Sequence, residues 1–296
     1  MRNLNPLLGQ TIAPPVMEAR RWLEGVTFSA ERPLMNLSQA APVDPPPEGL
    51  RRAMAEALLE RDESHLYGPV LGLDALRAEL AAKWSADYGG AVDAGQVAIT
   101  AGCNQAFCAV MATLAQAGDA VILPTPWYFN HKMWLDMTGI ETQVLATGED
   151  LIPDPEAAEA LIHARTRAIV LITPNNPGGV EYPAPVMAAF RDLARRRGIA
   201  LIVDETYRDF HSVTGPPHDL LSDPDWDETV ITLYSFSKSF RLTGHRVGAI
   251  IASEARLREA EKFLDCVAIC PAQVGQIGAL WGLRNLTEWL AGERLE

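Results

Sequence analysis

The sequence predicts an α/β fold, a three-layer αβα arrangement around a mostly parallel sheet of seven strands. Three observations predict it. From residue 96 onward, short runs rich in Val and Ile alternate with segments of helix length, as in strands joined by right-handed helical crossovers. Several runs show little polar alternation, as strands covered on both faces should. With 296 residues, 48% hydrophobic and 21% charged, the chain can bury the core such a sheet requires.

Residues 1–48 read as an irregular, proline-rich N-terminal segment running into APVDPPPEGL, whose prolines forbid a regular helix or a central strand. A large domain is expected over 49–284. EGLRRAMAEALLER has helical periodicity, SHLYGPVLGL reads as a loop, and DALRAELAAKWSADYG reads as a helix with Asp74 as its N-cap. The strands follow as QVAIT (96–100), AVILP (120–124), TQVLA (142–146), AIVLIT (168–173), ALIVD (200–204), VITLYS (230–235) and VGAIIAS (247–253). Helices between them include 104–116, 156–164 and 184–198. Residues 285–296, NLTEWLAGERLE, read as the opening of one more helix.

A net charge of −13, spread along the chain, repels nucleic acid and anionic lipid, so neither is an expected partner. No apolar run approaches membrane-span length, and MRNLNPLLGQTIAPP lacks the apolar core of a signal peptide. The expected location is the cytoplasm. Cys103, Cys108, Cys266 and Cys270 form no C-x-x-C pair; they read as reduced core residues, not a disulfide or metal framework.

In an open α/β sheet, ligands sit outside the carboxyl ends of the strands. Those ends here carry TAGCNQAF, PTPWYFNH, TPNNPGG, VDETY and YSFSKSFRLTGHR. Singly, each has a plain reading: Gly102 as a turn, Asp204 as a helix cap, Lys238 as a surface lysine. Together they supply one amine (Lys238, one of only four lysines), one carboxylate (Asp204), one phenol (Tyr207), one amide (Asn176), a flat ring and an anion cup. Gly102–Asn104 would open a helix whose free N–H groups suit a phosphate, with Ser235, Ser237 and Arg246 completing the cup. A partly desolvated lysine near a cation becomes a nucleophile toward carbonyls. An aspartate under a pyridine nitrogen keeps that nitrogen protonated. These are the requirements of pyridoxal 5′-phosphate.

Six motifs in order, LYGPVLGLDALR, TAGCNQAF, PTPWYFNH, TPNNPGG, VDETY and SFSKSFRLTGHRVG, resemble the fold-type I, class I/II aminotransferases from about Leu34 onward. The resemblance implies the large domain of that fold. It implies that Lys238 carries the cofactor as an imine and then shuttles the proton between Cα and C4′. Asp204 would pair with the pyridinium nitrogen, and Tyr207 and Asn176 would hydrogen-bond the ring oxygen O3′. Tyr128 would stack on the ring, with Trp127 its rival. Backbone N–H groups of Gly102, Cys103 and Asn104, with Ser235, Ser237 and Arg246, would hold the phosphate. Tyr67 would reach the phosphate of the neighbouring subunit, so a homodimer with shared active sites is expected, acting on an amino acid and a 2-oxo acid.

The sequence departs from the family pattern twice. LSQAAP offers Ala40 or Ala41 where many relatives place a glycine near the substrate carboxylate. The chain also ends at Glu296, where relatives continue into a small C-terminal domain carrying a carboxylate-binding arginine; that domain is expected to be missing, and Arg284 and Arg294 lie in the segment leading away. Transamination is the leading expectation. A C–S β-lyase, or a cofactor-binding module without turnover, are its alternatives.

Overall fold

The structure, a computed structural model, describes residues 4–293. Its middle layer is a sheet of β1 (Val97–Thr100), β2 (Ala120–Pro124), β3 (Glu141–Leu145), β4 (Thr166–Ile172), β5 (Ala200–Asp204), β6 (Val230–Ser235) and β7 (Gly248–Ile251). In space the order is β1-β7-β6-β5-β4-β2-β3. Neighbours run parallel except at β7, which is antiparallel to both β1 and β6.

The helices, in chain order, are α1 (Pro6–Gln10), α2 (Pro15–Arg21), α3 (Glu48–Glu60), α4 (Asp74–Tyr88), α5 (Cys103–Leu114), α6 (Phe129–Thr138), α7 (Pro155–Leu161), α8 (Ala184–Arg197), α9 (Phe236–Ser239), α10 (Glu254–Ala268), α11 (Gln273–Asn285) and α12 (Thr287–Glu293). The central strands are apolar on both faces because both are covered. Leu171, Val203, Val230 and Tyr234 pack with α3, α4, α8 and α11, while Val170, Ile202, Ile231 and Leu233 pack with α5, α6 and α10. Such two-sided burial erases the period-two polarity of a half-exposed strand.

All seven expected strands form, with ends shifted by one or two residues where they differ. Two local expectations fail. Asp74 is not a cap: Leu73 is the N-cap residue and makes no side-chain cap bond, while Asp74 begins the helix and pairs with Arg77 at 3.4 Å. The N-terminal segment is not wholly irregular, because α1 and α2 each start on a proline. Proline's fixed φ suits the first helical position, and its missing N–H costs nothing there. Arg294–Glu296, the end of the expected last segment, lie outside the described residues.

Strand direction decides what meets at the carboxyl edge. Gly248 pairs with Thr100 on one side and Ser235 on the other. The amino end of antiparallel β7 therefore lies at the carboxyl ends of β1 and β6, bringing Arg246, two residues earlier, to the same edge.

Candidate active site

A cavity of about 610 Å³ opens at that edge, walled on one side by Pro14–Arg20 and Ser38–Ala41 of the N-terminal segment. At its floor, α5 begins immediately after β1. Gly102 has φ +88°, and a Cβ there would meet Arg246 Nη2 at 2.3 Å. Gly248 is equally constrained, since its Cβ would lie 2.6 Å from the backbone N of Cys103. Two glycines thus let a guanidinium and a neighbouring strand press against the N-terminus of α5. Ser235 and Ser237 are buried beside them, the N–H of Ser237 donating to Ser235 Oγ at 3.2 Å. Arg246 donates to the Thr243 carbonyl at 3.0 Å and to Ser237 Oγ at 3.4 Å. Free helix N–H groups, two hydroxyls and a guanidinium form a cup for a small dianion.

Lys238 rises from the one-turn helix α9. It is half-buried, its Nζ donates to the Ala40 carbonyl at 2.7 Å and lies 5.3 Å from the centre of the Tyr207 ring. Burial holds its pKa below the ordinary 10.5, toward the nucleophilic free amine.

Asp204 ends β5 and borders the cavity at 4% exposure. Its Oδ1 accepts the N–H of Thr206 at 3.0 Å, and its Oδ2 lies 3.4 Å from His131 Nε2. Burial pushes the carboxyl up, but the His131 ring and Thr206 outweigh it, so its pKa lies below the ordinary 3.8. The site thereby holds a buried anion at neutral pH. The Cys103 thiol, 3.6 Å from the same carboxylate, is driven well up by burial and by Asp204 and stays neutral.

Asn176, Tyr128 and Tyr207 also line the cavity. Burial, then the Asp204 charge, raises the Tyr207 pKa, and burial raises Tyr128 to about 12, so both phenols remain hydrogen-bond donors. Tyr128 donates to Asn104 Oδ1 at 3.3 Å. Trp127, its rival on the sequence, instead packs against the core beside α5 and α6. Gly102, Cys103, Asn104, Tyr128, Asn176, Asp204, Tyr207, Ser235, Ser237, Lys238 and Arg246 are thus gathered at one place. Tyr67 is not among them; it lies outside the cavity, 78% exposed.

Sequence reasoning missed His131, which stacks on Phe107 at 3.9 Å beneath Asp204. Its place in the first turn of α6, three residues after Tyr128 and edge-on to that ring at 5.2 Å, was a usable signal. It also missed Arg20, a cavity cation hydrogen-bonded to Gln39 at 3.1 Å, which sits far from every strand end. A third omission is the buried polar cluster behind the site: Glu205 accepts from Tyr88 and lies 3.0 Å from His218 Nε2, and Arg208 stacks on Trp84 at 4.1 Å. No local pattern announces the Tyr88–Glu205 and Trp84–Arg208 contacts, whose partners lie more than a hundred residues apart.

A family model described as aminotransferase class I and II matches residues 32–281. Among curated proteins, an aromatic aminotransferase of Arabidopsis thaliana is 32% identical over 233 residues, covering 76% of this chain and 57% of that protein. An aspartate aminotransferase of Sulfurisphaera tokodaii is 28% identical over 228 residues, covering 75% and 56%. The chain therefore spans a little over half the length of these relatives. Among solved structures, an aspartate aminotransferase from Thermus thermophilus with maleate superposes with a TM-score of 0.88 at 24% identity, covering 100% of this chain and 77% of that one.

Proposed function

The chain belongs to the class I and II aminotransferases, and from that premise we propose that it binds pyridoxal 5′-phosphate on Lys238 and moves an amino group between an L-amino acid and a 2-oxo acid in two half-reactions. The observation that carries the reading is the meeting, in one cavity, of a half-buried amine, a buried carboxylate and a dianion cup. The donor set fits the cofactor: the cup matches a phosphate, and Gly102 leaves no room for a side chain between helix and guanidinium.

When bound, the cofactor supplies an aldehyde that captures amines and a ring that takes up the electron pair released at the substrate Cα. The protein does the rest. The N–H groups of Gly102, Cys103 and Asn104 bind the phosphate with Ser235, Ser237 and Arg246. Asp204 holds the proton on the ring nitrogen, and Tyr207 and Asn176 orient the ring through its hydroxyl oxygen. Tyr128 covers the ring face. Lys238 Nζ would take up the proton leaving the substrate Cα. In this reading the active form is a homodimer with shared sites, and the exposed phenol of Tyr67 reaches the neighbouring cup. Four free cysteines suit a reducing cytoplasm, and no described helix is long and apolar enough to cross a membrane.

The test is chemical. Protein incubated with pyridoxal 5′-phosphate, reduced with borohydride and peptide-mapped should carry the pyridoxyl group on Lys238, and Lys238→Ala should stay colourless. The labelling rate should level off at a lower pH than an ordinary lysine allows, because burial depresses this amine. A label on Lys83, Lys132 or Lys262 alone, or none, overturns the proposal.

A further inference from the structure

Lys238 stands on a helix too short to hold itself. The turn α9 has four residues, and one hydrogen-bonded turn is unstable without tertiary support. Its orientation depends on what its side chains grip, and the two neighbours of Lys238 grip different things. Ser237 faces the anion cup through Arg246 at 3.4 Å. Ser239, 1% exposed, turns the other way and donates to Asp209 Oδ2 at 2.6 Å.

The same carboxylate oxygen accepts the phenol of fully buried Tyr234 at 2.5 Å, and the two hydroxyls touch each other at 2.6 Å. The other oxygen, Oδ1, lies 3.7 Å from Arg208 Nη1. Asp209 belongs to the short turn that follows Asp204 and Tyr207, where the N–H of Arg208 bonds the Glu205 carbonyl at 3.0 Å and that of Phe210 bonds Tyr207 at 2.9 Å. Arg208, stacked on Trp84 and paired with Asp87 at 2.7 Å, fixes this turn against α4. One carboxylate therefore ties the turn that follows Asp204 and Tyr207 to the turn bearing Lys238.

We propose that Asp209 is a positioning residue for Lys238: acting through Ser239 and Tyr234, it sets the lysine amine against Asp204 and Tyr207. The proposal rests on Lys238 being the cofactor lysine. Asp209 touches neither the cavity nor its ligands; it acts by holding α9 in register. A charged acceptor shared by two buried hydroxyls is among the stronger protein hydrogen-bond arrangements, so its loss frees α9 to rotate.

The experiment follows borohydride-fixed pyridoxyl labelling of each lysine over time, in the unaltered protein and in Asp209→Ala, Asp209→Asn, Ser239→Ala and the double variant Asp209→Ala/Ser239→Ala. Labelling at Lys238 should slow about tenfold in Asp209→Ala, with Lys83, Lys132 and Lys262 unchanged. Asp209→Asn, which keeps an oxygen for both hydroxyls, should recover much of the rate. The double variant should be no slower than Asp209→Ala, because both changes break one connection.

A lower melting temperature of the cofactor-free protein with an unchanged Lys238 rate would mean a purely structural role and overturn the proposal, as would additive losses in the double variant. Should Asp209→Ala not fold, Ser239→Ala, which removes a single hydroxyl, carries the same readout. Absence of label on Lys238 in the unaltered protein would overturn the proposed function instead, so the two failures are distinguishable.

Discussion

Asp204 and Lys238 are set by opposite means. The carboxyl is pushed up by burial and pulled further down by His131 and Thr206, whereas the amine is lowered by burial alone. Each shift favours the form the proposed chemistry uses, an ionised carboxylate and a free amine. The two residues nearest in role then differ in consequence. Asp204→Ala should reduce the amino-transfer rate by about 100-fold or more, because it removes the charge that keeps the ring an electron sink. Tyr207→Phe removes one hydrogen bond to a ring oxygen and should cost about tenfold or less. Steady-state rates of the two variants at saturating cofactor check the order, and equal rates would contradict it. At this scale the sequence was informative because amine, carboxylate and phenol all fall within a few residues of a strand end.

Elements explain why these side chains meet. The N-terminus of α5 is usable only because Gly102 adopts φ +88° and leaves space for Arg246. Replacing it with alanine adds backbone strain and a Cβ 2.3 Å from the guanidinium. Gly102→Ala should therefore weaken pyridoxal 5′-phosphate affinity by about tenfold or more, since strain alone costs about 1 kcal/mol or more. Titration of the cofactor absorbance against protein measures it. Unchanged affinity would remove α5 from the cup. By contrast, the sequence misassigned the start of α4, because a polar residue before an apolar repeat signals a cap only when its backbone stays extended; Asp74 is already helical.

Across the whole molecule, a buried polar layer backs the site. Tyr88 and Tyr234 are buried, and their pKa values lie well above 10.0, raised first by burial and then by Glu205 and Asp209 respectively. Both phenols therefore keep their protons in the folded chain at pH values where unfolded tyrosines lose them. The unfolded state then binds fewer protons, so stability holds below the unfolded value of about 10 and falls as pH rises above it. Chemical denaturation at pH 9 and pH 11 should show the loss, and Tyr234→Phe, with one such phenol fewer, should show a smaller decline. An equal decline in both proteins would exclude Tyr234 as a source.

The sequence by itself determined the class of fold, the seven strands and the strand-end residues that gather at the cavity, because strands buried on both faces and strand-end residues are local patterns. Only the tertiary structure decided how Arg246 reaches the cup, and that His131 and Asp209 stand behind Asp204 and Lys238. Those facts depend on the reversed direction of β7 and on contacts between residues far apart in the chain. The physical reason is that hydrophobic periodicity encodes which face of an element is buried, but not the direction of its neighbour or the partner of a buried charge.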